Sequence, residues 1–197
     1  MHKMLLEIPE RIGTKRIFLR SYEAGDGQWY YVMSQKNRAH LARYEAENVV
    51  MSIKSEHDAE VVVRELASEW RARNCFFLGA FDRETNDFVA QVYVGPINWD
   101  LPEFEIGFFV DKDYEGQGYV TEAVRATMGF IFEHLNARRV RMECDDTNER
   151  SWRVAERCGL VREGHIRENK INVGGKPSGT LCFGLLKREF EALETNL

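Results

Sequence analysis

The chain has 197 residues, 44% of them hydrophobic and 12% aromatic, which is enough apolar material for one core and marginal for two. Its 32 acidic residues outnumber 27 basic ones, and the net charge of -5 argues against a disordered tail or a protein that coats nucleic acid through bulk charge. No apolar run approaches the roughly 20 residues of a membrane-spanning helix, and the opening MHKMLLEIPER meets an acidic residue after a very short hydrophobic stretch, so a soluble, unexported, cytoplasmic protein is expected.

The stretch Arg16 to Arg20 alternates as a short strand does, and from about Asp26 the residues Trp29, Tyr30, Met33, Leu41 and Tyr44 recur at helical spacing. Ser55 then resembles an N-cap with acidic Asp58 in the first turn, and Ala59, Val62, Val63, Leu66 and Trp70 mark one face of a helix ending near Asn74. Three strand-like runs follow from Cys75, Phe88 and Phe104, joined so briefly that they must be antiparallel neighbours. Val120, Ala123, Val124, Met128, Ile131, Phe132 and Leu135 trace another helical stripe, and VRMEC from Val140 alternates again. A shorter helix spans about Asn148 to Cys158, with Asn148 as N-cap and Gly159 where a left-handed cap is wanted. Two last strands, near Val161 to Glu168 and Leu181 to Leu186, flank the loop NVGGKPSG. The expectation is a mixed α/β (α+β) domain over residues 1–197 with seven strands and four helices, without repeats or a linker.

Cys75, Cys144, Cys158 and Cys182 are far apart and form no CxxC pair, so they read as reduced core thiols. The five histidines are equally scattered, and no metal site is expected. The most informative stretch is DYEGQGYVTEA, where Gly116 and Gly118 stand between a strand and a helix. They could supply only a tight turn. A nucleotide P-loop is excluded, because no GK[ST] follows. A dinucleotide-binding turn lacks its third glycine, replaced by Thr121, and follows antiparallel strands instead of a repeated strand and helix. In the third reading the free N–H groups from Gly116 to Thr121 hold an anion such as a pyrophosphate at the helix start.

Three segments together, RIFLRSYEAGD, FEIGFFVDKDYEGQGYVTEAV and TNERSWRVAERCGLVREGHIRE, resemble the acetyl-CoA-dependent N-acetyltransferases of the GNAT superfamily, and within it the Rim-type acetyltransferases of ribosomal-protein N-termini. The resemblance covers nearly the whole chain. It implies a seven-stranded, mostly antiparallel sheet splayed between its fourth and fifth strands. It also implies that backbone amides of Gly116, Gln117, Gly118, Tyr119, Val120 and Thr121 cradle the coenzyme A pyrophosphate, that the pantetheine arm lies along Phe109, Val110 and Lys112, and that Asn148 and Ser151 reach it. The family pattern of Gln or Arg, two residues, Gly, one residue, Gly or Ala falls on Glu115, Gly118 and Val120. Gly118 matches that pattern while Glu115 and Val120 depart from it, and the Glu115 carboxylate must point to solvent or meet Lys112 to avoid repelling the phosphates.

Acetyl transfer to an amine needs a neutral amine, a polarised thioester carbonyl and a proton for the departing thiolate. The resemblance makes a backbone N–H near Val110 the carbonyl's partner. Glu105 is the leading base, facing away from Phe104, Ile106 and Phe108, unless it forms a cross-strand ion pair; Glu168 is the second candidate. Many relatives carry a Tyr acid seven residues after the Asn, but Ala155 stands there, and Ser151 is the available substitute. Cys144 and Cys158 sit at apolar phases and are expected to pack. The acceptor pocket is expected from Trp29, Tyr30, Tyr44, the face around Glu45 and Glu47, and the loop Ile171 to Thr180. Acidic excess favours a cationic acceptor, such as a basic protein N-terminus, a polyamine or an aminoglycoside-like amine. No nucleic acid, membrane or metal partner is expected, and the resemblance is compatible with a homodimer. Two alternatives stand beside the transferase: a non-catalytic acyl-CoA-binding module and a dinucleotide-dependent oxidoreductase.

Overall fold

The computed structural model describes residues 2–195. Its strands are β1 (Arg11–Gly13), β2 (Ile17–Ser21), β3 (Phe76–Asp82), β4 (Phe88–Asn98), β5 (Glu103–Val110), β6 (Arg139–Asp145), β7 (Val161–Ile171) and β8 (Pro177–Leu186). Its helices are α1 (Gly27–Leu41), α2 (Glu56–Ala72), α3 (Tyr119–Gly129), α4 (Glu149–Arg157) and α5 (Lys187–Thr195). The strands form one sheet in the order β1-β2-β3-β4-β5-β6-β8-β7, and only the β5–β6 pair is parallel. The repeated parallel strand and helix that a dinucleotide fold requires is absent from this sheet.

The expected seven strands and four helices are thus corrected to eight and five among the described residues. The added strand, β1, is three residues long and too short to show a period. The added helix, α5, commits one side chain, Phe190, fully to the core, where it stacks on Phe132 with centroids 4.7 Å apart. The last hairpin is also longer than expected: β7 runs to Ile171 and β8 starts at Pro177, leaving a short turn in place of the loop NVGGKPSG.

The sheet carries apolar side chains on both faces. On one, Tyr30, Met33 and Leu41 of α1 pack with Val62, Val63 and Leu66 of α2, with Tyr22 and with Phe109 of β5. On the other, Ala123, Val124 and Met128 of α3 pack with Val154 of α4 and with inward residues of β2 to β6, including Phe104, Ile106 and Val140. Ser55 caps α2 by accepting the Asp58 N–H at 3.1 Å, and Gly159 takes a left-handed φ of 86° after α4, both as the sequence predicts. The stripe beyond Met128 does not continue as one α-helix. A π turn covers Phe130–His134, and Phe130, Ile131 and Phe132 are buried in succession there.

A buried polar knot fixes where β5 ends. Asn37, fully buried on α1, donates to Asp111 at 2.9 Å and accepts the Lys112 N–H at 2.9 Å. Lys36 closes on Asp111 at 2.7 Å. Replacing Asn37 by Ala leaves Asp111 and the Lys112 N–H short of partners, so Asn37→Ala is expected to lower the unfolding free energy by roughly 1–3 kcal/mol in chemical denaturation. An unchanged midpoint would contradict the knot's role.

Candidate functional site

The site originates in the way β5 and β6 separate. Their pairing is confined to Glu103 with Arg139, Phe104 with Val140 and Glu105 with Arg141. On the other side of β5, Asp111 N–H bonds the Val89 carbonyl at 2.9 Å. In an antiparallel ladder the bonding residues alternate, so Phe109 and Gly107 also bond toward β4, while Phe108 and Val110 turn their N–H and C=O groups toward the gap beside β6.

Two connected clefts occupy this gap. A larger one, of about 990 Å³, lies below the α1–α2 connection and is walled by Gln91, Tyr93, Gly107, Glu143 and Asp145, with Lys170 from β7. A smaller one, of about 340 Å³, runs between His40, Val110, Val120 and Val154. Tyr44, Glu45, Phe108, Asn148 and Ser151 line both. The Tyr44 hydroxyl donates to the Thr147 carbonyl at 3.0 Å, tying the α1–α2 connection to the start of α4 across the gap.

The glycine loop borders the smaller cleft, which Glu115 and Val120 on either side of it line. Gly116 and Gly118 have φ of 72° and 81°, and a Cβ at Gly116 would meet nothing within 4 Å, so backbone conformation and not crowding requires the glycines. Arg16, from the β1–β2 turn, donates to the Gln117 carbonyl at 3.0 Å, pairs with Glu122 at 2.7 Å and lies over the Tyr119 ring at 4.4 Å. Burial pushes the Glu122 carboxyl up, but hydrogen bonds from Thr14 and Arg16 outweigh it and hold the group below the usual carboxylate range. The side chains of Gln117 and Tyr119 are spent on the Asp113 carbonyl and on Asp82, at 3.0 and 2.9 Å. What the loop offers the cleft is therefore backbone, at the positive end of α3.

Glu115 does not meet Lys112. Its carboxylate pairs with Arg150 of α4 and lies 3.5 Å from His40, because the loop sets it against α4 and the end of α1. Asn148 caps α4, accepting the Ser151 N–H at 3.3 Å. Ser151 is half-buried, one turn from fully buried Ala155, which packs in the core.

The expected bases fall elsewhere. Glu105 stands opposite Arg141 in the paired stretch and bonds it at 2.8 Å, outside the lining of both clefts. Glu168 is exposed on β7 with φ 50° and borders a separate cleft beside Trp152 and His165. Trp29 and Tyr30 do not line the acceptor side, correcting that expectation: Tyr30 is fully buried, and Trp29 packs on it at 5.6 Å while donating to Asp26. Tyr44, Glu45, Glu47, Ile171 and Thr180 do line the larger cleft.

Burial pushes the Glu45 carboxyl above the usual range, against the opposing pull of a hydrogen bond with Asn48. Asp145 is the reverse case: burial raises it, but bonds from Thr147 and Ser178 and the nearby Lys170 hold it low. The four cysteines are free, and only Cys158 is buried. Cys144, half-buried, packs against the core as expected and also lines the larger cleft, because β6 has lost its neighbour β5 by that point. Arg16, Tyr93, Arg150 and Lys170 went unidentified in the sequence. The Arg16 contact with Gln117 spans 101 residues and leaves no local signal. Among the described residues, no group of three or more His, Cys, Asp or Glu could hold a metal, and no helix is long and apolar enough to cross a membrane.

Residues 16–161 match the acetyltransferase (GNAT) domain family. YdaF of Bacillus subtilis is 38% identical over 87 residues, a match covering 44% of this chain and 47% of YdaF. YnaD of the same organism, named an uncharacterized N-acetyltransferase, is 27% identical over 157 residues, covering 80% of this chain and 86% of YnaD. The solved structure of RimL, a ribosomal L7/L12 α-N-protein acetyltransferase in complex with coenzyme A, is similar with a TM-score of 0.79 at 18% identity, covering 90% of this chain and 98% of RimL.

Burial, its largest cause, pushes the Cys144 thiol up to about 12. Against an ordinary cysteine near 8.5, the thiolate fraction at pH 8 falls about a thousandfold, and the greater nucleophilicity of a more basic thiolate recovers only part of this. Iodoacetamide is thus expected to label Cys144 on the order of a hundredfold more slowly than a free cysteine, read by peptide mass spectrometry. Labelling at the ordinary rate would show that burial does not raise this thiol.

Proposed function

The chain belongs to the acetyltransferase (GNAT) domain family, a family of acyltransferases, and on that premise we propose that it carries acetyl from acetyl-CoA directly to a primary amine, with a protein N-terminus as the favoured acceptor. One observation carries the reading: the outward-turned backbone groups of Phe108 and Val110 lead straight into the glycine loop at the start of α3. An amide-bearing arm ending in a pyrophosphate finds a strand edge for its amides and a helix N-terminus for its charge in one continuous cleft.

The roles follow from position. The amides from Gly116 to Thr121 hold the pyrophosphate, and Arg16 keeps their loop in shape from behind. Phe109 is a buried wall of the channel, with its neighbours Phe108 and Val110 supplying the edge. Lys112, whose N–H is held by Asn37, is exposed and lines neither cleft, so its charge would act on the phosphates from outside the lining. The Val110 N–H polarises the thioester carbonyl. Ser151, lining both clefts, hydrogen-bonds the departing thiolate and relays its proton, with Asn148 holding the turn that presents it. The glutamates Glu105 and Glu168 would need to act from outside the cleft lining, through water.

The larger cleft presents Glu45, Glu47, Glu143 and Asp145 against Arg43 and Lys170, a net acidic wall that suits a cationic amine. RimL is described as acting on an α-amine of a ribosomal protein, which supports the same acceptor class. The free thiols suit a reducing compartment, and we place the reaction in the cytoplasm.

The test is thiol release from acetyl-CoA with a panel of free-N-terminus peptides beginning with Ser, Ala or Met, and with spermine as the small-amine arm. Release with a peptide supports the reading, release with spermine alone redirects it to small amines, and coenzyme binding without release reduces the protein to a binding module. Because the Val110 N–H makes no ladder bond to β4, Val110→Pro removes it without breaking that pairing. Its kcat is expected to fall about 10²–10³-fold while acetyl-CoA still binds and the protein still melts cooperatively. An undiminished kcat would remove the Val110 N–H from the mechanism.

A further inference from the structure

Resting on the transferase reading, the geometry points to Glu45 as the catalytic base that takes the proton from the acceptor ammonium. In direct transfer the amine loses its proton where it meets the thioester, so a base at the junction of the acceptor cleft and the coenzyme channel is within reach of it. Among the described acids that line either cleft, Glu45 alone lines both. It sits on the α1–α2 connection beside Tyr44 and opposite Ser151, where the acceptor cleft opens into the coenzyme channel.

The other acids are occupied or in solvent. Asp145 accepts from Thr147 at 2.6 Å and Ser178 at 2.9 Å, and meets Lys170 at 3.4 Å. Glu115 is held by Arg150, and Glu149 by Arg153 at 2.6 Å. Glu47 and Glu143 are exposed. The neighbouring cation Arg43 lies over the Tyr44 ring at 5.0 Å. Glu45 is half-buried, with a hydrogen bond from Asn48 bearing on its carboxyl. Its burial favours the protonated form, which brings its basicity closer to neutral pH, where a proton acceptor works best.

The step balances as follows. The Glu45 carboxylate takes one proton from the ammonium and later gives it to solvent. The freed nitrogen lone pair forms the C–N bond at the thioester carbon while the Val110 N–H holds the carbonyl oxygen. The C–S bond then breaks with its electron pair on sulfur, and the second nitrogen proton passes to that sulfur by way of Ser151. The products are the amide, the coenzyme thiol and one released proton.

The experiment compares the full-length wild type with Glu45→Gln and Glu45→Asp, using acetyl-CoA and the panel member that wild type acetylates fastest. Glu45→Gln is expected to lose about 10²–10⁴-fold in kcat. It should bind acetyl-CoA as wild type does by calorimetry, and should lack the acid-side fall of kcat that wild type shows. Glu45→Asp, one methylene short, should retain part of the rate together with that acid limb. A Gln variant that keeps the wild-type rate, or is slower yet keeps the same acid limb, overturns the assignment and leaves the transferase reading intact. Failure of wild type to release thiol with any member overturns the transferase reading itself, and this inference with it.

Discussion

Three paired residues between β5 and β6 decide the shape of everything functional in this chain. Had the pairing continued past Glu105 and Arg141, the outward groups of Phe108 and Val110 would be spent on β6, and the space between the strands would be closed. The divergence is held from both sides. Phe109 is drawn into the cluster under α1 and α2, and the Asn37–Asp111–Lys36 knot pins the strand's end to α1. Strand β6 keeps its antiparallel register with β8 along its whole length, Arg139 opposite Leu186 to Asp145 opposite Thr180, and so follows β8 away. Unpaired strand edges are ordinarily a hazard, and here the edge is buried in a cleft, where it becomes a recognition surface.

Charge is distributed by the same geometry. The acids of the coenzyme channel are neutralised locally, Glu115 by Arg150 and Glu122 by Arg16, so the loop can face an anion despite a net charge of -5. The acids of the acceptor side are left less compensated. One chain thereby carries the proposed anion and cation sites on the two sides of Tyr44, and the charge of each is set by which partner the fold brings to each carboxylate. Glu45 lines both clefts and lies at their boundary.

Much of this was legible in the sequence because it is local. The N-cap at Ser55, the alternation in FEIGFFV, the helical stripe from Val120 and the glycines before α3 each depend on residues a few positions apart. The family resemblance extended that to the splay, and it supplies the proposed ligand of the loop. What stayed hidden depends on distant partners. For Glu105 the sequence leaves a catalytic base and a cross-strand ion pair both open, until the register places Arg141, 36 residues on, directly opposite. Glu115 reads as a liability until Arg150 arrives from α4. Trp29 and Tyr30 read as lining residues because aromatic side chains serve clefts and cores alike, and only the packing of α1 on Tyr22 sends them inward. Helix α5 shows one buried side chain, too few for a periodicity to register.

The central claim is that the strand edge exposed by the splay is where acetyl-CoA binds, and residue-resolved amide hydrogen exchange with and without the coenzyme addresses it most directly. The account predicts an alternating pattern: Phe108 and Val110 gain protection on binding, together with amides from Gly116 to Thr121, while Phe109 and Asp111, already bonded to β4, change little. Uniform change along β5, or protection confined to the cleft beside Trp152 and His165, would contradict it.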